Sequence, residues 1–283
     1  MSTRRPLTGH ARIYGVVGWP VAHSLSPAIH GAAIAALGLD AAYVPLAVPP
    51  DALSDALRGL AALGFAGVNV TMPHKGETAA HMDSLTEDAS RLGAVNTVVV
   101  TEGGLIGHNT DAPGFDRMLR RDEGFDAAGA TVLLYGAGGA ARACALALGR
   151  GGAERIVVAV RDPAKADPMR RALDPLATVV EPIAFDEAEG RLADLLVNAT
   201  PLGARGEALP LPALGPGMLV IDLLYEPPVT PLLASARAAG ASAAGGLGLL
   251  LHQASLSFEL WTGQAPPIDV MSAAALAVLA DRS

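Results

Sequence analysis

Short apolar runs rich in Val, Ile and Leu alternate along this chain with longer Ala- and Leu-rich stretches of helical pattern. That alternation is the mark of βαβ units, in which a helix carries the chain from one strand to a parallel neighbour. In the first half it predicts strands over residues 12–17, 43–48, 67–70 and 96–101, and helices over 27–37, 51–63 and 84–92. Glu102-Gly103-Gly104 reads as a hairpin turn into a strand at 105–108, which would give that sheet an antiparallel edge. In the second half strands are predicted at 132–135, 155–160, 195–198 and 219–223, most of them far enough apart for a crossover helix.

One junction in this pattern points to a ligand. The segment TVLLYGAGGAAR, residues 131–142, runs a strand into Gly136, Gly138 and Ala141, the G-x-G-x-x-A turn that lets a backbone approach a dinucleotide pyrophosphate. It sits near the middle of the chain, and the segment before it carries polar motifs of its own. The expected fold is therefore α/β in two parts. Residues 1–112 form an α/β substrate domain with a mostly parallel sheet, and 113–246 a Rossmann-type dinucleotide domain. Residues 247–283 form C-terminal helices that return to the first domain, led by a helix over 247–261 containing Gln253. The Pro- and Gly-rich stretch 202–217 reads as a loop over the cofactor site.

Composition narrows the class. With 283 residues, 51% hydrophobic and 17% charged, the chain is long enough and apolar enough to bury a core in each domain, which excludes disorder. A net charge of -8 and the lack of a basic, aromatic-rich stripe argue against nucleic-acid partners. Cys144 stands alone, so no intrachain disulfide is possible; it reads as a small buried apolar residue of a cytoplasmic protein. The start, MSTRRPLTGH, has arginines like a signal peptide, yet Gly, Pro and His interrupt the apolar stretch after it, and no signal peptide is expected. MSAAALAVLADRS is too short to span a bilayer, so no membrane partner is expected, and no metal is called for. A monomer or a homodimer fits these properties.

Several polar clusters fall where α/β sheets bind ligands. In Ser24-Leu25-Ser26-Pro27 the second Ser and the Pro make a good helix start, and the extra hydroxyl beside a helix N-terminus suits a carboxylate. In Asn69-Val70-Thr71-Met72-Pro73-His74-Lys75 a short strand ends in polar residues, placing Asn69, Thr71 and Lys75 at its carboxyl end. A lysine there can be an acid-base group or a solvated surface residue, and His74 reads as structural. Asn96 and Asn109-Thr110-Asp111 add amides and a carboxylate, although Asp111 could equally cap a helix starting near Pro113. At the end of the second strand of the dinucleotide domain stand Arg161 and Asp162, with Lys165 beyond. An acid there suits the ribose of NAD and an arginine the 2'-phosphate of NADP, and this chain offers both.

Taken in order, SLSP with His30, NVTMPHK, GAVNT, NTD, GAGGAAR, NAT, Tyr225 in LLYEP and GLGLLLHQ resemble the motifs of the shikimate dehydrogenase family along nearly the whole chain. The resemblance implies NADP-dependent, reversible reduction of 3-dehydroshikimate to shikimate, toward aromatic amino acids. It implies Lys75 and Asp111 as the catalytic pair, Ser24 and Ser26 on the substrate carboxylate, and Asn69, Thr71, Asn96, Tyr225 and Gln253 around the ring. It places Gly136, Ala137, Gly138, Gly139 and Ala140 at the pyrophosphate, and Arg161, Asp162 and Lys165 at the 2'-phosphate. Asn198, Thr200 and Gly246 fall at the nicotinamide end. Val160-Arg161-Asp162 departs from the Asn-Arg-Thr typical of NADP-dependent members, which leaves NAD as a weaker or alternative cofactor. Two other readings stay open: a quinate/shikimate dehydrogenase using NAD, and a non-catalytic nucleotide-binding sensor on the same fold.

Overall fold

Strands that are buried on both faces need no alternation, and the computed structural model, which describes residues 6–282, builds the inner part of its two sheets largely from such runs. The chain divides into two compact units, one made of the chain up to Thr110 together with the part from Leu251 onward, the other of Asp111–Leu250. Residues 1–5, which include the arginines weighed as a signal-peptide start, lie outside the described residues.

The first unit holds β1 (Arg12–Gly18), β2 (Ala41–Ala47), β3 (Phe65–Val70), β4 (Ser84–Leu85), β5 (Thr97–Thr101) and β6 (Gly104–His108) in one sheet of order β2-β1-β3-β5-β6-β4. All run the same way except β5, which is antiparallel to both neighbours. The antiparallel strand is thus internal, not the expected edge, because β4 adds outside β6. The reversal of β5 brings its first residue to the carboxyl ends of β3 and β6: Asn69 pairs with Thr97, and Thr97 with His108.

The helices here are α1 (Ser26–Ala36), α2 (Leu53–Ala62), a single turn α3 (Lys75–Thr78) and α4 (Glu87–Leu92). Leu53, Leu57 and Leu60 of α2 recur at helical spacing and pack with Val68, Val70 and Val98 on the sheet. The chain also returns, as expected. Trp261 donates its indole N–H to the Val98 carbonyl at 3.0 Å and stacks on Tyr14 with ring centroids 5.1 Å apart. Only glycine fits at position 67, because any side chain there would run into that indole.

The second unit holds β7 (Thr131–Tyr135), β8 (Arg155–Val160), β9 (Val179–Ala184), β10 (Leu195–Asn198), β11 (Leu219–Asp222) and β12 (Ser242–Gly245), all parallel, in order β12-β11-β10-β7-β8-β9. Numbered from β7, that is the 3-2-1-4-5-6 order of the dinucleotide-binding fold, with its switch point between β7 and β10. Its helices are α5 (Asp111–Arg117), α6 (Gly139–Arg150), α7 (Asp167–Leu173) and α8 (Pro231–Ala238). Two more complete the chain: α9 (Leu247–Thr262), within which the two units divide, and α10 (Ile268–Arg282).

Cys144 is buried in α6. The stretch 202–217 does form a loop, but Leu209 is buried in it and Leu202, Leu211 and Leu214 pack beside Leu133, Leu196 and Val220, so it shares with Leu232 and Ala236 of α8 the cover of one sheet face. No helix among the described residues is long and apolar enough to cross a membrane.

Candidate active site

In the first unit the site begins where β1 and β3 end. Thr71 donates its N–H to the Val17 carbonyl at 2.9 Å and Trp19 donates to Met72 at 3.0 Å, which ties the two strand exits together. A side chain at Gly18 would collide with Thr71. Beyond β1 comes Ser24, whose hydroxyl accepts the Ser26 N–H at 3.2 Å. Ser26 does not cap α1 as expected: Leu25 holds the cap position in helical geometry and no side chain caps it, so Ser26 lies inside the first turn. Asp111 likewise opens α5 from within, as its first residue, and is buried.

Lys75 begins α3 directly after β3 and is partly exposed. Its carbonyl accepts the Val95 N–H at 2.8 Å, which fixes the lysine backbone against the segment leading into Asn96. His74 is structural: it is buried, with Nε2 2.8 Å from the Val48 carbonyl.

The amides expected around a substrate ring are largely engaged with the protein. Asn69 accepts from the Tyr43 hydroxyl at 2.7 Å, and its nitrogen lies 3.2 Å from the Asn96 carbonyl, 3.2 Å from Thr97 Oγ1 and 3.0 Å from Ser257 Oγ. Two amide hydrogens facing three acceptors leave none for a ligand. Its oxygen keeps a second lone pair, so toward a ring hydroxyl Asn69 can act only as an acceptor. Asn96 takes the Thr110 N–H on its oxygen at 2.8 Å and donates to Thr110 Oγ1 at 2.9 Å and to Gln253 Oε1 at 3.4 Å. Thr110 in turn donates to the Gln253 carbonyl at 3.1 Å, and Ser257 and Thr97 lie 2.7 Å apart. Tyr43, Thr97 and Ser257 were not singled out by sequence. The one available signal was Ser257, a helical turn beyond Gln253 on the same face.

Behind this network lies His30, stacked flat on Tyr43 with centroids 4.3 Å apart and close to Phe258 and Trp261. Burial pushes its imidazole down to about 3, an effect the neighbouring Asn69 side chain offsets only in part. Neither ring nitrogen has a partner within hydrogen-bonding geometry, so His30 is a neutral aromatic element of the core.

In the second unit the glycine turn follows β7. Gly136 has φ 104, a left-handed conformation that favours glycine, and a Cβ there would lie 3.1 Å from Thr200 Cγ2 and 3.2 Å from the Ala199 carbonyl. A Cβ on Gly138 or Gly139 would meet nothing, so the outer face of the turn is open beside the start of α6. Gly138 takes the cap position there without a side-chain hydrogen bond, and no acid stands in the first turn. Ala137 and Ala140 flank this opening, half-buried. Uncapped N–H groups next to open space are what a pyrophosphate requires, and the residues fit that group.

At the end of β8, Arg161 and Lys165 are exposed, and neither side chain forms an ion pair or hydrogen bond among the described residues. Asp162 does. Its carboxylate accepts the Ala164 N–H at 3.1 Å, capping the short turn Pro163–Ala166. Capping is work a threonine also does, so the aspartate stands in for Thr in that turn. Across the switch point, Asn198 is fully buried and Thr200 partly so. Tyr225 lies half-buried beyond β11, and a side chain on Gly246 would run into the Leu223 carbonyl.

The second unit is thus that of a dinucleotide-dependent oxidoreductase, and the first sets a lysine among hydroxyls and amides at a sheet's carboxyl edge. The chain belongs to the shikimate dehydrogenase family. Residues 16–98 match the model of the shikimate dehydrogenase substrate binding domain, and residues 246–276 that of the shikimate 5'-dehydrogenase C-terminal domain. A shikimate dehydrogenase (NADP(+)) of Rhodospirillum rubrum is 49% identical over 93% of this chain and 96% of its own. One of Citrifermentans bemidjiense is 46% identical over 96% and 97%. The crystal structure of shikimate 5-dehydrogenase from Thermus thermophilus in complex with NADP(H) and shikimate is 40% identical. It covers 95% of this chain and 100% of its own, with a TM-score of 0.86.

Proposed function

We propose that this protein catalyses the NADP-dependent, reversible reduction of 3-dehydroshikimate to shikimate, a cytoplasmic step toward aromatic amino acids, with Lys75 and Asp111 as the catalytic pair. The bound nicotinamide supplies the hydride for the ketone carbon. Lys75, as ammonium, gives a proton from Nζ to the ketone oxygen, and in the reverse direction its neutral Nζ takes the hydroxyl proton. Asp111 orients the lysine.

Ser24 and Ser26 hold the substrate carboxylate through charge-assisted hydrogen bonds, while Thr71, Asn96, Gln253 and Tyr225 face the ring. Asn69 holds Tyr43, Thr97 and Ser257 in register and offers the ring only its oxygen. The turn from Gly136 to Ala140 takes the pyrophosphate, and Arg161 with Lys165 takes the 2'-phosphate. Thr200 and Gly246 meet the nicotinamide half. In this division residues 1–112 with 247–283 bind substrate, and 113–246 bind cofactor. The protein acts as a monomer or homodimer.

The observation that carries the reading is the gathering of Ser24, Thr71, Lys75 and Asn96 at one carboxyl edge of the first sheet. The NAD-using quinate alternative would need Asp162 as an acid for the ribose; the exposed cations Arg161 and Lys165 beside it favour a 2'-phosphate instead. The experiment is direct: shikimate and NADP+ with the purified protein should yield NADPH at a rate proportional to enzyme. No turnover in either direction would leave a nucleotide-binding sensor as the better reading.

A further inference from the structure

The hydrogen bonds at the end of β10 run in one direction. Asp222, fully buried at the end of β11, is faced only by donors: Asn198 Nδ2 at 3.0 Å, the Leu224 N–H at 3.2 Å and the Thr230 hydroxyl at 2.6 Å. The Asn198 and Leu224 N–H groups can only donate, so Oδ1 accepts both whatever the protonation of this carboxyl, which burial pushes above the usual carboxylate range. Asn198 is oriented by that carboxyl and by the Leu202 carbonyl, to which its nitrogen also donates at 3.0 Å. Its oxygen must therefore point the other way, where it accepts the Thr200 N–H at 3.0 Å and the Thr200 hydroxyl at 2.7 Å.

The single proton of Thr200 Oγ1 is thereby committed. One of the oxygen's lone pairs accepts the Leu202 N–H at 3.2 Å, and the other is left for a ligand. Thr200 can act toward a ligand only as an acceptor.

Topology says which part of the cofactor it meets. In this strand order the adenosine half lies over β8, where Arg161 and Lys165 stand, and the nicotinamide half lies across the switch point over β10 and β11. The carboxamide NH2 is the donor on the nicotinamide ring. We propose that Thr200 accepts a hydrogen bond from the cofactor's carboxamide, and that Asn198, backed by Asp222, is a positioning residue that fixes this polarity rather than a cofactor contact. The proposal rests on the NADP-dependent function above.

Equilibrium binding to the full-length protein, read by calorimetry, tests it with three ligands: NADP+, its 3-acetylpyridine analogue, which keeps the carbonyl but lacks the NH2, and 2',5'-ADP, which lacks the nicotinamide half. The wild type should prefer NADP+ over the analogue by about five- to tenfold, the worth of one hydrogen bond. Thr200→Val should bring that ratio close to one while 2',5'-ADP binds as before, and Thr200→Ser should retain the ratio. Asp222→Ala should lower the ratio, and Asp222→Asn, which can still present an oxygen to Asn198, should largely restore it.

A ratio unchanged in Thr200→Val overturns the proposal, whether or not the Asp222 variants fold. So does a loss shared equally by both dinucleotides, which would put the donor elsewhere on the cofactor, or a loss extending to 2',5'-ADP, which would mark a purely structural role. Failure of the wild type to bind NADP+ at all would instead overturn the proposed function.

Discussion

The two units treat their polar residues in opposite ways. In the first, Asn69, Asn96, Thr97, Thr110 and Ser257 are buried and bonded to one another, so the substrate side is rigid before any ligand arrives. In the second, the Arg161 and Lys165 side chains have no partner among the described residues, and the turn at Gly138 and Gly139 opens on empty space. A neutral ring of hydroxyls needs precise donors and acceptors, and a buried network supplies them. A phosphate needs charge more than precision, and exposed cations with uncapped N–H groups supply that.

Variants should separate the two strategies. The largest effect belongs to chemistry rather than binding: Lys75→Ala should lower kcat by about a hundred- to ten-thousand-fold with a much smaller change in KM. A kcat within a few-fold of wild type, with KM steeply raised, would make Lys75 a binding residue.

Next comes the rigidity of the first unit. His30 titrates near 6.5 when unfolded but only at about 3 when folded, so its contribution is complete above pH 6.5 and falls as pH drops toward 3. The loss is about 1.4 kcal/mol for each pH unit in that window. Trp19 and Trp261 both belong to this unit, so tryptophan fluorescence during urea unfolding reports on it alone. His30→Gln should show a shallower loss of stability than wild type between pH 7 and pH 5. Equal slopes would contradict the neutral, buried imidazole.

On the cofactor side, Arg161→Ala should weaken NADP by about 1.5–3 kcal/mol, the worth of a hydrogen bond to a charged group, and leave KM for shikimate almost unmoved. The smallest effect is expected of Asp162→Thr. Because Asp162 caps its own turn, the threonine should keep the fold and sharpen the NADP preference by only a few-fold. A shift of a hundredfold, measured as the ratio of kcat/KM with the two cofactors, would mean that the carboxylate acts on the cofactor directly.

The parts legible in the sequence follow the same divide. β8 and β10 have the limits their patterns predict, because both are continuous buried apolar runs. β12, Ser-Ala-Ala-Gly, has no β-branched residue to mark it, and β9 carries Pro182 on a partly exposed edge strand, so neither was anticipated. The helix expected over 84–92 loses its first residues to β4, a pairing with β6 that no local pattern encodes. At the site, the residues proposed to face ligands stood out because charge and glycine at strand ends are unusual. Tyr43, Thr97 and Ser257 were hidden, since a hydroxyl used inside a network looks like any other in sequence, and only the fold brings them to Asn69.

The central claim is that this site reduces 3-dehydroshikimate with NADPH, and initial-rate kinetics on shikimate and quinate, each with NADP+ and NAD+, test it most directly. The account predicts the highest kcat/KM for shikimate with NADP+, with measurable but lower activity on NAD+. A higher kcat/KM for quinate with NAD+ would contradict it.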